Sequence, residues 1–242
     1  MSDSTPLLGG IIAAGRGDRL RTASATPKPL VQVAGRPLIE HVLHSMAAAG
    51  TSEIVVIINE ESLAIRDYVS RSAWPFVIRW IVETTPSSMH SFLRVVETLT
   101  ERDPAGPYLI STVDTIAPAA AYAQFAADAM RDGRAVAALA LTSVIDDEKP
   151  LLVRIEGTKV MAIGDDAADS RYATAGYYVV APAILREADA ARRDGLTALR
   201  VFLKRLLDRG YPMIGIPVPP SIDVDRPLDV DAAEAFLKRV TA

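Results

Sequence analysis

The chain has 242 residues, 50% of them apolar, which is enough for one large domain with a sizeable core and too apolar for a disordered protein. It contains no cysteine, so disulfide bonds, thiolate metal sites and cysteine nucleophiles are excluded. A formal net charge of −4 argues against a nucleic-acid-binding protein.

The basic residues are nevertheless concentrated near the N-terminus. Within residues 15–36, a single acid, Asp18, stands among the cations Arg16, Arg19, Arg21, Lys28 and Arg36. A local basic cluster on an acidic protein favours a small anionic ligand over a polymer. The first ten residues, MSDSTPLLGG, lack the basic region of a signal peptide, and no apolar stretch is long enough to span a membrane. We therefore expect a cytoplasmic protein that has neither a membrane nor a nucleic acid as its partner.

Apolar and amphipathic segments alternate through the first 145 residues. Apolar runs predict buried strands at residues 7–14, 53–59, 76–83, 108–114 and 135–142. The segments between them predict helices at residues 37–50, about 60–71, 88–100 and 118–132. Pro37 suits the first turn of the first helix, Gly50 suits its end, and Asn59 is expected to cap the second helix. This alternation predicts an α/β fold with a doubly wound, mostly parallel sheet.

The pattern changes after residue 150. An antiparallel hairpin is predicted around Gly157, and a further strand at residues 172–182. The chain then continues with a helix at 196–209, a strand at 213–217 and a last helix from Pro227. We expect a single domain, residues 1–242, with a small antiparallel insertion. Its parts are a first half at about 1–145, a second half at about 146–226 and a C-terminal helix at 227–242.

A glycine-rich loop, GGIIAAGRGDRL at residues 9–20, follows the first predicted strand. Such loops hold phosphates, because backbone N–H groups can approach the anion where no Cβ is in the way. The dinucleotide pattern Gly-x-Gly-x-x-Gly fails, because Leu20 stands in place of the third glycine. The Walker pattern also fails, because Arg16 and Gly17 follow Gly15 where Lys and Ser or Thr are required.

The residues AAGRGDRL, followed by PKPL and GRPL, instead resemble the signature of the sugar-phosphate nucleotidyltransferases. This family has a GT-A-like NTP transferase fold and includes phosphocholine-type cytidylyltransferases. The matching residues are Ala13, Ala14, Gly15, Gly17, Arg19, Leu20, Pro27, Lys28, Leu30, Gly35, Pro37 and Leu38. The resemblance extends to the C-terminus. It implies a Rossmann-like fold and an enzyme that transfers a nucleoside monophosphate from an NTP to a phosphorylated small molecule and releases pyrophosphate.

By this resemblance, two cations are the catalytic residues of the loop region. Arg19 offers a fork of donors to phosphate oxygens, and Lys28 offers a compact charge. Phosphoryl transfer depends mainly on positioning and on neutralising charge, so both are expected to stabilise the transition state. The expected nucleotide-binding residues of the loop are Ala13, Ala14, Gly15 and Gly17.

The resemblance also implies Mg²⁺, which needs only one or two protein carboxylates. Asp114 ends a predicted parallel strand at the sheet edge where α/β proteins bind ligands. The family has Gly-Asp at this place, whereas this chain has Val113 before the aspartate. The segment SIDVDRPLDVD at 221–231 resembles the family's D-V-D/G-T-P-E-D-L. Asp223 matches the metal-binding aspartate of that segment, and Asp225 is the alternative ligand.

The substrate pockets are indicated by two further segments. ETTPSSMHSFL at residues 83–93 lacks the glycine turn of uridylyl and thymidylyl enzymes and resembles the Asn-Asn-x-x-Ser-Leu stretch of phosphocholine-type cytidylyltransferases. Ser88 and Ser91 are therefore candidates for base binding, and CTP is slightly favoured. TAGYYVV at 174–180 resembles the segment that lines the acceptor side, which makes Thr174 and Gly176 acceptor-binding candidates.

The sequence thus predicts an Mg²⁺-dependent nucleotidyltransferase, similar to NDP-sugar pyrophosphorylases, with an acceptor of the sugar 1-phosphate type. Two alternatives stay open. One is a cytidylyltransferase that acts on a phosphoalcohol or a phosphonate, and the other is a non-catalytic nucleotide-binding regulatory module. Release of pyrophosphate would separate the enzyme from the regulatory module.

Overall fold

The computed structural model describes residues 6–15, 17, 20, 26–131, 133–145 and 149–240. Its strands are β1 Leu7–Ala13, β2 Gln32–Val33, β3 Arg36–Pro37, β4 Thr51–Ile58, β5 Val77–Val82, β6 Tyr108–Thr112, β7 Thr115–Ile116, β8 Ala137–Thr142, β9 Val153–Glu156, β10 Lys159–Ile163, β11 Ala173–Val180, β12 Met213–Pro217 and β13 Ile222–Asp223. The α-helices of the described part are α1 Leu38–Ala48, α2 Leu63–Val69, α3 Ser88–Arg102, α4 Ala119–Arg131, α5 Ala188–Arg193, α6 Leu199–Asp208 and α7 Pro227–Val240.

Nine of the described strands form one sheet, in the order β5-β4-β1-β6-β11-β8-β12-β10-β9. β5, β4, β1 and β6 run parallel to one another, and β8 is parallel to β12. β11 runs antiparallel to β6 on one side and to β8 on the other. The β9–β10 hairpin adds to the edge next to β12. The predicted α/β sheet with a small antiparallel insertion is confirmed, and the inserted strand β11 lies in its centre.

Helices cover both faces of this sheet. One core contains side chains of α3, α5 and α6, including Phe92 and Phe202, whose ring centroids are 6.1 Å apart. The opposite core contains side chains of α1, α2 and α4, including Met46 and Phe125. Because both faces are covered, β8 is buried at every position, as is typical of strands inside an α/β protein. None of the described helices is both long and apolar enough to cross a membrane.

The helix α1 begins and ends next to the predicted boundary residues. Pro37 lies immediately before the helix, and Gly50 follows its end with a φ of +76°. A left-handed conformation of this kind is accessible to glycine at low cost, so the chain reverses here into β4.

Asn59 does not cap the next helical segment with its side chain, and the prediction for it is wrong in this respect. It precedes the short 3-10 turn Glu60–Ser62, but its side-chain amide donates to the carbonyl oxygen of Ala14 at 3.2 Å. β4 lies next to β1 in the sheet, so an acceptor at the start of the glycine loop is close. Asn59 therefore ties the end of β4 to that loop.

A third, smaller core holds the functional segments together. It contains Leu20 from the glycine-loop region, Leu38 from α1, Val224 from the segment before α7, and Phe236 from α7. Leu20 also donates its backbone N–H to the carbonyl oxygen of Gly17 at 3.0 Å. Burial of these apolar side chains brings the N-terminal loop against the C-terminal segment, which are about 200 residues apart in the chain.

Candidate active site

The predicted functional segments meet at the carboxyl ends of β1 and β6. Val113 donates its N–H to the carbonyl oxygen of Ile12 at 3.2 Å, which extends the pairing of β6 with β1. Its side chain is buried in the core, so the valine that replaces the family's glycine serves as an anchor. Asp114 follows directly and lines the cleft described below.

Asp223 is brought to Asp114 by a two-residue pair of strands. β13 pairs antiparallel with β7, so that Asp223 lies opposite Thr115. The hydroxyl group of Thr115 donates to Asp223 Oδ1 at 2.9 Å, and the N–H of Val224 donates to the carbonyl oxygen of Asp114 at 3.0 Å. Asp114 and Asp223, which are distant in the sequence, are thus brought close together.

Lys28 contacts two carboxylates of the same site, Asp114 and Asp225. Its side chain is almost fully buried, and Nζ donates to Asp114 Oδ2 at 2.6 Å and also contacts Asp225 Oδ1. Gly17, in the glycine loop, has a φ of +62°, and a Cβ at that position would lie 2.5 Å from the Cβ of Lys28. The loop backbone therefore rests on the lysine, and only glycine allows this approach.

The electrostatics of the site follow from burial and from the excess of carboxylates. Burial, and then the charge of Asp114, raises the pKa of Asp223 to about 7. Burial also acts to raise the pKa of Asp114, but the ammonium group of Lys28 outweighs it and holds that pKa below its usual value. Burial acts to lower the pKa of Lys28, but Asp114 and Asp225 outweigh it and raise that pKa above the usual value, so the ammonium stays charged.

These carboxylates suit a divalent cation. Two partly buried aspartates that repel each other gain from a positive charge between them, and Mg²⁺ prefers oxygen ligands and keeps several waters. The described residues contain no group of three or more His, Cys, Asp or Glu side chains arranged to hold a metal ion. A site with two protein carboxylates, Asp114 and Asp223, fits Mg²⁺ nonetheless, since one or two are sufficient for this ion. Asp225, the alternative ligand, contacts Lys28, as Asp114 also does.

A cleft of about 250 Å³ opens beside these carboxylates. Thr174 and Gly176, the two acceptor-binding candidates of β11, both line it. Gly176 has a φ of +78°, and a Cβ there would lie 1.9 Å from the hydroxyl oxygen of Thr115. A glycine is therefore required at position 176, because the backbone of β11 lies directly against Thr115, the residue that hydrogen-bonds Asp223.

The two serine candidates occupy different environments. Ser88 lines the cleft, and its hydroxyl oxygen accepts the N–H of Leu199 at 3.1 Å, which joins α3 to the start of α6. Ser91 is buried, and its hydroxyl group hydrogen-bonds inside the protein, with Thr85 and with the carbonyl oxygen of Ser87. In this structure Ser91 therefore supports the segment from within. Its role in base binding stays a prediction.

The remaining loop candidates lie at the end of β1 and just after it. Ala13 is buried as the last residue of the strand, and Ala14 accepts the amide hydrogen bond of Asn59. Gly15 is exposed, and a Cβ at its position would meet no neighbouring atom within 4 Å. Arg19 lies outside the described residues, and its catalytic role stays a prediction.

Asp229 is a site-supporting residue that the motif comparison missed. Its Oδ2 accepts the N–H groups of Asp225 at 3.0 Å and of Arg226 at 2.7 Å, and its Oδ1 accepts from the guanidinium group of Arg226 at 2.8 Å. Burial acts to raise the pKa of Asp229, but these hydrogen bonds outweigh it and lower the pKa below the usual value. The available signal was an acid in the first turn after Pro227, at the position from which helices bond back to their own start.

The α/β fold, with a buried lysine that contacts aspartates lining one cleft, is that of an NTP transferase domain. The chain belongs to the family of MobA-like NTP transferase domains, whose model matches residues 9–208. Among solved structures, it is similar to the inositol-1-phosphate CTP transferase from T. maritima, with a TM-score of 0.79, 18% identity and 97% of each chain covered. It is also similar to a UTP-bound UGPase from Acinetobacter baumannii, with a TM-score of 0.79, 16% identity, and 96% of this chain and 93% of the other covered. The expected fold and family are thereby confirmed.

Two curated relatives illustrate the range of substrates among similar proteins. The CMP-5'-(3-aminopropyl)phosphonate synthase of Streptomyces rubellomurinus is 30% identical over 213 residues, which is 86% of this chain and 33% of that protein. A mannose-1-phosphate guanyltransferase of Kluyveromyces lactis is 32% identical over 111 residues, which is 45% of this chain and 30% of that protein. The chain thus spans about a third of the length of the curated relatives it matches.

Proposed function

We propose that this chain transfers a nucleoside monophosphate from an NTP to a small molecule that carries a phosphate or phosphonate group, and that pyrophosphate is released. The observation that carries the proposal is the buried ammonium group of Lys28 against Asp114, which lines the cleft together with Asp223. A phosphorus oxygen of the acceptor attacks the α-phosphorus of the NTP in line. A new P–O bond forms, and the bond from the α-phosphorus to the oxygen that bridges to the β-phosphorus breaks.

The protein's own groups bind and orient the reactants. The backbone of the glycine loop, at Gly15 and Gly17, receives the phosphates of the NTP, and Lys28 neutralises charge that develops on them. Arg19 is proposed to act together with Lys28. Asp114 and Asp223 would hold Mg²⁺, with Asp225 as the alternative ligand. The ion, when bound, would supply positive charge to the phosphorus oxygens.

We propose the following assignment along the chain. Residues 1–145 bind the nucleotide, residues 146–226 form the acceptor side, and residues 227–242 form a C-terminal helix that supports both. The whole chain acts as a single domain. Support comes from the lining of the cleft, which combines Thr112 and Thr142 from the first part with Thr174 and Arg200 from the second.

For the substrates, we propose CTP as the preferred nucleotide, with a phosphonate or phosphoalcohol as an alternative to a sugar 1-phosphate. The support is the absence of glycine in residues 83–93, together with the names of two similar proteins, a CMP-phosphonate synthase and a CTP transferase. Ser88 and Ser91 offer hydroxyl groups of the kind that can satisfy the amino and carbonyl groups of cytosine.

The test is the release of pyrophosphate from a matrix of nucleotides and acceptors. CTP, UTP, dTTP and GTP are each combined with 3-aminopropylphosphonate, phosphocholine, inositol 1-phosphate, mannose 1-phosphate and glucose 1-phosphate, with Mg²⁺ and with EDTA. We expect Mg²⁺-dependent release with at least one pair, highest with CTP, and its loss in Asp114→Asn and Asp223→Asn. Asp225→Asn should retain more activity than either. Binding of nucleotide without pyrophosphate release from any pair would favour the regulatory module.

A further inference from the structure

The charged side chains that line the cleft differ in whether they have a partner. Asp114 and Asp225 contact Lys28, and Arg226 is held by Asp229 through its guanidinium group at 2.8 Å. Arg200 also lines the cleft, yet its guanidinium group makes no ion pair or hydrogen bond with any other residue in the described ranges. It is exposed, so it presents a free fork of donors to the cleft.

The stability of α6 does not account for Arg200. A positive charge is unfavourable near the N-terminus of a helix, and Arg200 is the second residue of this one. The other two cations of the helix, in contrast, form ion pairs that stabilise the fold. Lys204 pairs with Asp208 one turn later at 3.1 Å, and Arg205 pairs with Glu187 at 2.9 Å. The placement of Arg200 thus needs another explanation.

The buried phenol of Tyr178 shares the cleft with Arg200 and with the carboxylates Asp114 and Asp223. Tyr178 lies on β11 and lines the same cleft. Burial raises its pKa to about 12, the charges of Asp223 and Asp114 act in the same direction, and the charge of Arg200 opposes them. The phenol therefore keeps its proton and can donate a hydrogen bond. Asp114, Asp223, Tyr178 and Arg200 all line the one cleft, so they belong to one compartment.

We propose that Arg200 binds the phosphorus oxyanion of the acceptor and so determines that the enzyme selects small phosphate monoesters or phosphonates. This inference rests on the proposed function. A guanidinium group matches two oxygens of a PO₃ group with parallel hydrogen bonds. Without such a cation, an acceptor dianion would meet a cleft whose carboxylates repel it. The apolar lining, at Val144, Ile145 and Leu151, suits a short carbon chain attached to that group.

The test compares Arg200→Met and Arg200→Lys with the wild type, using the nucleotide and the acceptor found active in the pyrophosphate assay. 3-Aminopropylphosphonate, with a C–P bond, and phosphocholine, with a C–O–P bond, are assayed beside that acceptor, so that the two sources of the group are distinguished. We expect the acceptor KM of Arg200→Met to rise about 10- to 100-fold, as for loss of a charged hydrogen bond, while the nucleotide KM stays within about twofold. Arg200→Lys should recover part of the loss, because it keeps the charge but not the fork.

Arg193→Met is the matched control. Arg193 is likewise exposed and, within the described residues, has no ion pair, but it lies at the end of α5 and does not line the cleft. It should behave like the wild type. The proposal is overturned if Arg200→Met leaves the acceptor KM unchanged, or if it raises both KM values equally.

A binding experiment keeps this inference separate from the proposed function. If the wild type releases no pyrophosphate with any pair, the proposed function fails, and calorimetry with 3-aminopropylphosphonate and with inorganic phosphate decides the role of Arg200. Binding to the wild type that is lost in Arg200→Met supports it. Equal binding to both proteins, or none to either, overturns it. Thermal melting confirms that each variant is folded.

Discussion

Replacing Lys28 by methionine would remove the one positive charge that contacts both Asp114 and Asp225 in the structure's described part, while keeping a side chain of similar length. The lysine side chain is 10% exposed, that of Asp114 25% and that of Asp225 37%. Breaking a buried ion pair leaves an uncompensated charge and destabilises a protein by about 3–5 kcal/mol. Because water screens the more exposed Asp225, we expect the lower end of this range, about 3 kcal/mol.

For a chain of this length, about 3 kcal/mol corresponds to a fall in Tm of roughly 6–12 °C. Thermal melting by circular dichroism measures this directly. Lys204→Met is a matched control, because Lys204 also contacts two carboxylates, Asp166 at 2.7 Å and Asp208 at 3.1 Å, but is 38% exposed. It should lose no more than about 1 kcal/mol.

Two further measurements on Lys28→Met complete the experiment. Added Mn²⁺ without nucleotide should raise its Tm more than that of the wild type, because a cation then replaces the missing ammonium beside Asp114. Turnover should fall about 100- to 1000-fold, as for loss of a preorganised charge. A Tm within about 2 °C of the wild type, well below the shift calculated above, would refute the reasoning. So would near-normal turnover.

Three further predictions concern the surroundings of the site. Gly176→Ala should destabilise the protein by more than Gly195→Ala in urea unfolding, because both glycines have left-handed φ but only the methyl group at Gly176 would lie 1.9 Å from a threonine hydroxyl oxygen; equal losses would contradict the close approach. Asp229→Ala should cost about 1–2 kcal/mol and slow turnover through the lost backbone hydrogen bonds, whereas the exposed Asp231→Ala on the same helix should change little. Burial acts to raise the pKa of Glu53, but hydrogen bonds from two arginines outweigh it and hold the pKa below its usual value. The Glu53 carboxylate therefore contributes to folding stability at neutral pH, and this contribution is lost as the pH falls through the folded-state pKa. The stability gap between wild type and Glu53→Gln should therefore be about 0.5–1 kcal/mol at neutral pH and shrink on acidification, and a gap independent of pH would contradict this.

The order of strands and helices was predictable because local patterns determine it. The apolar run at 108–114 and the helix from Pro227 have periodicities that do not depend on distant residues. The central place of β11 was not predictable, because antiparallel pairing with both β6 and β8 is a choice among distant partners. Periodicity identifies a strand but not its neighbours.

In the candidate site too, sequence motifs identified individual residues, whereas the contacts between residues became visible only in the structure. Lys28, Asp114 and Asp223 were found by motif, and the structure brings them together. The two serine hydroxyls were read from a short match, yet both bond within the protein, because serines in or near the first turn of a helix readily find backbone and hydroxyl partners. Arg200 belongs to no motif, and what points to it is its position on the cleft without an ion-pair partner among the described residues.

The central position of β11 has a consequence for synthesis of the protein. β6 ends at Thr112 and β8 begins at Ala137, but the two strands cannot become neighbours, because β11, at Ala173–Val180, fills the space between them. Until β11 is synthesised, one edge of β6 stays unpaired and β8 has neither of its neighbours, β11 and β12, so these strands are open to pairing with other chains. Complete pairing of the strands in residues 1–145 must therefore await residues that are translated more than 30 positions after β8 ends. A fragment that stops before Ala173 should aggregate, whereas one that includes Val180 closes the sheet's centre.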